Sequence, residues 1–191
     1  MDGRWNRECG RSSPLWPASR PPVAIRGILR PLLTMKSMTN PKVRQARRRD
    51  RDELAKMQGL LWPAALPEEL LKELDDALSH RAPGTLPAVL LVSIDENGAL
   101  IGFLSAGLRS HADGCDPARP VGYVEGWFVH EKFRNQGVGK ALLNSAEEWA
   151  RANGCVEMAS DALIENEGSQ RAHEALGFEV VDRCVHFRKV L

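Results

Sequence analysis

Apolar and polar positions along this chain fall into runs of two different periods, and the period changes at recognisable punctuation. Lys42 to Arg47 alternates, as a short first strand does. Asp50 then stands as an N-cap before Leu54, Met57, Leu60 and Leu61, apolar at helical spacing, and Trp62-Pro63 closes that helix. Pro67 with Glu68 and Glu69 opens a second helix running to about Ser79, with Leu70, Leu71, Leu74 and Leu78 on its inner side. Two apolar runs, AVLLVSI (88–94) and ALIGFLSAGL (99–108), flank Asp95-Glu96-Asn97-Gly98, and the Asn-Gly pair predicts a hairpin.

After a polar loop (109–120) comes the stretch VGYVEGWFVHEKFRNQGVGKAL, residues 121–142. It reads as a buried strand from Val121 to Val129, a glycine-rich turn, and a helix opening at Lys140 and stopping at Asn153-Gly154. Such a turn leaves backbone N–H groups unpaired at the positive end of a helix dipole, which suits a phosphate or pyrophosphate. Cys155 to Ser160 is expected as a strand, Asn166 to Leu176 as a helix stopped by Gly177, and 178–181 and 185–190 as two final strands. The fold class is therefore α/β, a mixed central sheet flanked by helices. Its two strand–helix–strand passes, 121–160 and 155–181, put a crevice at the carboxyl ends of the strands, with Asp161 at its mouth.

Composition changes this picture in two places. The formal charge of the 191 residues is +1, but residues 1–42 carry eight basic and two acidic side chains, and 43–191 carry 18 basic and 23 acidic. Residues 1–42, rich in Arg, Pro and Ser, are read as a disordered tail or an over-long start, and 43–191 as the folded domain. The mildly acidic body argues against nucleic acid and for a cationic partner. Four cysteines without CxxC or zinc-ligand spacing read as reduced thiols of a cytoplasmic protein, three in or near core strands, with no metal site. No apolar run approaches the roughly 20 residues a spanning helix needs, so no membrane is expected.

Arg134-Asn135-Gln136-Gly137-Val138-Gly139 fits the (Q/R)xxGx(G/A) signature of the GCN5-related N-acetyltransferases, placed after a strand and before a helix as in that superfamily. Asn166 and His173-Glu174-Ala175-Leu176-Gly177-Phe178 accompany it. Within the superfamily the chain resembles the aminoglycoside 6′-N-acetyltransferases. Leu61-Trp62-Pro63, Gly114-Cys115-Asp116, Val124-Glu125-Gly126-Trp127-Phe128-Val129, Glu157-Met158-Ala159-Ser160-Asp161, Glu165-Asn166 and Ser169-Gln170 carry that likeness. The resemblance implies a GNAT-type fold over 43–191, acetyl-CoA as acetyl donor, a polycationic aminoglycoside acetylated at its 6′-amine, and a homodimer.

It also implies roles. Backbone N–H groups from Gln136 to Lys140 would hold the pyrophosphate, with both glycines admitting the ligand to the main chain. The strand would splay at Trp127, Phe128 and Val129, whose main chain would pair with the pantetheine arm and acetyl carbonyl, and Asn166 would hydrogen-bond that arm. A polycationic acceptor needs carboxylates and flat rings. Glu125 interrupts an apolar strand, where a lone charge is costly unless a ligand or an arginine meets it. Asp161 and Asp182 sit near strand ends, and Trp62 could stack on a sugar or simply pack in the core. The attacking amine must be neutral, so Asp161 is the expected base or water-positioner, with Glu125 assisting. Two departures stand out: His173 occupies the position where many superfamily members have a tyrosine acid, and His111 is the nearest replacement for a tyrosine in the acceptor loop. His173 is either an acid or a structural histidine. A peptide, polyamine or small metabolic amine as acceptor, and a non-catalytic acyl-CoA-binding role, remain the alternatives.

Overall fold

Side chains that alternate along the strands settle onto two faces, and each face is covered by a different set of helices. The computed structural model describes residues 41–79, 86–185 and 187–190. Residues 1–40 of the expected tail lie outside the described residues. In chain order the elements are β1 (Lys42–Gln45), α1 (Arg51–Leu61), α2 (Pro67–Ser79), β2 (Ala88–Ile94), β3 (Leu100–Arg109), β4 (Val121–Val129), α3 (Val138–Ala152), β5 (Met158–Ser160) and α4 (Glu167–Glu174). The sheet runs β1-β2-β3-β4-β5, antiparallel through β4, with β5 parallel to β4.

On one face Leu142, Leu143 and Ala146 of α3 pack on Val89, Leu91, Ile101, Leu104, Ala106 and Val124. On the other, Leu54 and Met57 of α1 and Leu74 of α2 meet Val92 and Phe103, with Trp62 and Phe128 at the margin. Each large apolar side chain fully buried here contributes about 1.5–3 kcal/mol, so the two faces hold the sheet in place. The Arg51–Asp75 ion pair, 2.5 Å, ties α1 to α2. The hairpin turn forms as the Asn-Gly signal predicts: Asp95 Oδ1 accepts from the N–H groups of Asn97 and Ala99, both at 2.9 Å, and Gly98 takes φ +82°.

Three local expectations are corrected. Asp50 makes no side-chain cap on α1. Its buried carboxylate instead accepts a two-point fork from Arg44, at 2.6 and 2.8 Å, and the Arg47 N–H at 2.7 Å. Helix α3 opens at Val138 rather than Lys140, because buried Val138 already faces the core. Residues 178–181 and 185–190 do not form strands, His186 among them lying outside the described residues. β5, three residues long, ends the sheet, and among the described residues no segment pairs with its outer edge. Phe178 still packs on the core, while Val180, Val181, Val185, Phe187 and Val190 are exposed. Cys184 is consequently exposed, Cys115 half-buried, and Cys155 alone of the three is buried. Among the described residues no helix is long and apolar enough to cross a membrane, and no cluster of His, Cys, Asp or Glu could hold a metal ion.

Candidate active site

β4 pairs with β3 from Val121 to Val129 except at Glu125, but with β5 only at Gly122, Tyr123 and Val124. β5 ends at Ser160, so Glu125 to Val129 lack a strand partner on that side. This is the splay expected at Trp127, Phe128 and Val129, and it divides the site into a half beyond the parting and a half before it.

Beyond it, the chain turns through Asn135 and Gly137, both left-handed at φ +58° and +82°, into α3. A Cβ on Gly137 would meet nothing within 4 Å, so glycine serves the backbone angle there. Ala141 N–H to the Gly137 carbonyl, 2.9 Å, is an early rung of the helix, and the N–H groups of Val138, Gly139 and Lys140 precede it at the positive end of the dipole. Gly139 has a packing reason of its own: a Cβ there would lie 2.8 Å from the Trp127 ring, so this glycine admits Trp127 beneath the helix start. The Trp127 Nε1–H is buried without a partner among the described residues. Arg134 and Gln136 brace the turn, donating to the carbonyls of Val129 (3.1 Å) and Lys132 (2.7 Å). The side chains thus turn back on the loop and leave main-chain donors outward, an arrangement that fits a pyrophosphate.

α4 completes this half. The Asn166 Oδ1 accepts from the Ser169 N–H at 3.0 Å, capping the helix, which engages its carbonyl before any ligand does. His173 Nδ1 lies 2.8 Å from the Ser169 carbonyl, which can only accept, so Nδ1 carries a proton. In the neutral ring Nε2, 3.0 Å from Ser160 Oγ, then accepts from that hydroxyl. The ring also stands edge-on to Trp127 and Phe178, with centroids at 5.4 and 5.1 Å. Both nitrogens are in use within the fold. Phe128 stacks on Phe103 at 6.1 Å and is its ladder partner, and since the His130 N–H bonds the Ile101 carbonyl, the alternation of the ladder turns the Phe128 main chain toward β3 and that of Trp127 and Val129 toward the unpartnered side.

At the parting and before it lies the acceptor half. Ser105 pairs with Gly126 and Ala106 with Val124, so Glu125 is the extra residue of a β-bulge. The bulge turns an otherwise inward position outward, and Glu125 is about two-fifths exposed, at 41%. Trp62 lies over Gly126, where a Cβ would be 2.6 Å from its ring, and Trp62 also contacts Phe103 at 6.3 Å. It is both core and wall. Arg109, the last residue of β3, holds Glu125 with two bonds, Nε to Oε1 at 3.0 Å and Nη2 to Oε2 at 2.6 Å. The same guanidinium sits 3.3 Å above the Tyr123 ring. The Glu125 hydrogen bonds raise Arg109 above its ordinary range, with Asp161 adding to the effect. Burial, and then the Asp161 charge, push the Tyr123 phenol up, so it stays protonated.

The parallel register Val124↔Ser160 is followed on the two chains by Glu125 and Asp161, which brings the carboxylates to the same end of the gap. Asp161 is exposed there. The other expected acceptor residues are more peripheral. His111 is exposed beside Ser110, and Asp182 is exposed and accepts from the neighbouring Arg183 N–H at 2.6 Å. Arg109 was missing from the expected set. An arginine ending one strand of an antiparallel pair whose partner carries a lone glutamate is the available signal, but the two are not opposite each other: Arg109 faces Val121, four residues from Glu125.

A mixed sheet that opens beside a helix N-terminus, with carboxylates across the gap, defines a transferase of the acetyl-CoA class. The acetyltransferase (GNAT) family model matches residues 51–178, and the chain belongs to that family. It is 37% identical over 153 residues to an aminoglycoside N(6′)-acetyltransferase type 1 of Klebsiella aerogenes, covering 80% of this chain and 99% of that protein. It is 36% identical over 151 residues to the enzyme of the same name from Stenotrophomonas maltophilia, covering 79% of this chain and 94% of that one. Among solved structures it resembles AAC(6′)-Iy in complex with the bisubstrate analogue CoA-S-monomethyl-acetylneamine, with TM-score 0.71, 32% identity, and coverage of 80% of this chain and 100% of the other.

Proposed function

We propose that this protein is an acetyl-CoA-dependent N-acetyltransferase that modifies the 6′-amine of aminoglycoside antibiotics. The observation that carries this reading is the arrival of Glu125 and Asp161 at the same end of the gap where β4 leaves β5, beside the open N–H groups of α3. An aminoglycoside is a polycation, and paired carboxylates beside an acyl-donor site suit it. Relatives matched over 99% and 94% of their own length, and over 80% and 79% of this chain, carry that activity in their names.

In this reading the main-chain N–H groups of Gln136 to Lys140 bind the pyrophosphate, and Arg134 and Asn135 shape that turn. The exposed edge of β4 at Trp127 to Val129 aligns the pantetheine arm, with the Asn166 amide alongside. Acetyl-CoA, when bound, supplies an activated acetyl thioester. Glu125 binds the cationic acceptor against the Trp62 wall, with His111 and Asp182 at the rim. Asp161 takes the proton that the ammonium must lose, directly or through a water, before its nitrogen is nucleophilic. His173 positions Ser160 and the Trp127 ring from α4. Alignment of amine and acetyl carbon, with a β4 N–H polarising the carbonyl, supplies most of the acceleration.

Purified protein incubated with acetyl-CoA and kanamycin, tobramycin or sisomicin should release thiol, and mass spectrometry should show one added acetyl group. A 6′-hydroxyl aminoglycoside should be inert. Turnover on a panel of small amines with none on the 6′-amino drugs would assign the family fold to another acceptor. A chain lacking residues 1–37 should behave as the full one does, since the folded domain is proposed to be 43–191. We further propose a cytoplasmic homodimer, supported by the exposed apolar side chains of residues 180–190, and light scattering that gives a monomer would exclude the dimer.

A further inference from the structure

Glu125 is poorly held by its own strand. As the extra residue of the bulge it has no cross-strand partner, and Gly107 on β3, where a Cβ would lie 3.9 Å from Glu125 Oε1, has no side chain to pack against it. A glutamate so placed would sample several rotamers, and a cationic acceptor would lose binding free energy by ordering it. The structure supplies the missing constraint from β3. The Arg109 fork meets both carboxylate oxygens, and the guanidinium is itself seated on the Tyr123 ring.

Stability alone does not account for this arrangement. Arg109 and Glu125 are 43% and 41% exposed, and ion pairs that solvated contribute little to folding. Geometry accounts for it better. A bidentate fork uses one lone pair on each oxygen and leaves the other, so Glu125 can still accept from an ammonium while its plane is fixed. The ring beneath Arg109 fixes the fork in turn, because a planar cation over an aromatic face has a preferred position.

We propose that Arg109 is a positioning residue of the acceptor site, holding the Glu125 carboxylate, from its seat on Tyr123, in the orientation that receives the cationic acceptor beside Asp161. The inference rests on the aminoglycoside reading above and adds to it the residue that organises the acceptor carboxylate. It predicts a division of kinetic effects. Arg109→Ala should raise the KM for tobramycin about tenfold, the order that restoring the rotamer freedom of one glutamate side chain carries. The KM for acetyl-CoA should not move, and kcat should fall less than the acceptor KM rises.

Arg109→Lys keeps the charge but not the planar fork, and should retain most of the defect. Tyr123→Leu removes the seat and should give an intermediate rise. The double variant Arg109→Ala/Glu125→Ala should be no worse than Glu125→Ala alone, since the two residues act as a unit. A lower acceptor KM in Arg109→Ala would make Arg109 a competing cation and overturn the proposal. So would full activity in Arg109→Lys, or an equal fall in kcat on a less thermostable protein with both KM values unchanged. Absence of turnover by the unaltered protein on every 6′-amino drug would remove the functional reading itself; turnover with a flat Arg109 series removes only the positioning role.

Discussion

The two halves of the crevice share one strand and are built by opposite means. From Trp127 onward the chain works mainly with its backbone: a left-handed glycine, a helix start with unspent N–H groups, and side chains such as Arg134 and Gln136 folded back onto the loop. From Glu125 backward it works with side chains drawn from separate segments, Trp62 after α1, Arg109 at the end of β3, Tyr123 and Glu125 on β4, and Asp161 after β5. A backbone site is sensitive to anything that alters main-chain conformation and tolerant of most side-chain changes. A side-chain site has the reverse sensitivity. Substitutions should therefore separate the two halves kinetically, one through acetyl-CoA and the other through the amine.

The largest separation is expected at Asp161. Replacing it with asparagine keeps shape and removes basicity, so kcat should fall by about 100-fold or more, the range general bases supply. Acetyl-CoA affinity, measured by titration calorimetry, should change by less than about twofold, because the other half of the site holds the cofactor. A matched loss of acetyl-CoA binding would show that Asp161 supports the whole crevice and would erase the division.

The backbone half has its counterpart in the two glycines, which should fail for different reasons. Gly139→Ala puts a methyl group 2.8 Å from the Trp127 ring, so either the indole or the helix start must shift. Overpacking of that kind costs about 1–3 kcal/mol and should raise the acetyl-CoA KM several-fold. Gly137→Ala meets no atom, and its penalty is the φ of +82°, about 1 kcal/mol for an L-residue, with a smaller rise in the same constant. Neither should move the amine KM. Steady-state kinetics with each substrate varied in turn would decide this, and an amine-specific defect in either variant would contradict the backbone assignment.

The same contrast explains what could be read from the chain alone. The cofactor half was legible because its signal is local: six consecutive residues, Arg134 to Gly139, between a strand and a helix. Even so, the motif concealed that Gly139 answers to Trp127, a residue twelve positions earlier, as much as to a ligand. The acceptor half was legible only in part. Glu125 could be picked out as a charge inside an apolar strand and Asp161 as a carboxylate just after one, but the partner of Glu125 could not, since Arg109 stands opposite Val121, four residues away along β4, and reaches Glu125 only through its long side chain. The two last strands failed for a related reason. Their alternation is genuine β pattern, but alternation does not by itself supply a ladder partner, and among the described residues nothing pairs with the outer edge of three-residue β5. Asp50 had the sequence position of a cap and was claimed by Arg44, a competition between local and cross-element hydrogen bonds that spacing does not reveal.

Asp50 also provides the smallest expected effect on catalysis, and so a control for the whole comparison. It pins β1 to the start of α1, and β1 stands at the opposite end of the sheet order from β5. The Arg44 hydrogen bonds, with help from the Arg47 N–H, hold the Asp50 carboxyl below the usual carboxylate range. A depressed folded-state value means the stabilisation is complete above the unfolded pKa of about 3.9 and is lost as pH falls through the folded value. Asp50→Asn should therefore lower Tm by about 5 °C at pH 7, roughly 2 kcal/mol for a buried pair broken on one side. The gap between variant and unaltered protein should begin to narrow as the pH drops below about 4, where the unfolded carboxyl takes up its proton first, and should be smallest once the pH lies below the depressed folded value and the native carboxyl is protonated too. At pH 7 and a temperature where both are folded, the two KM values should match those of the unaltered protein. Thermal melts across pH combined with those kinetics test both statements, and a shift in either KM would mean that strain at β1 reaches the crevice through the sheet.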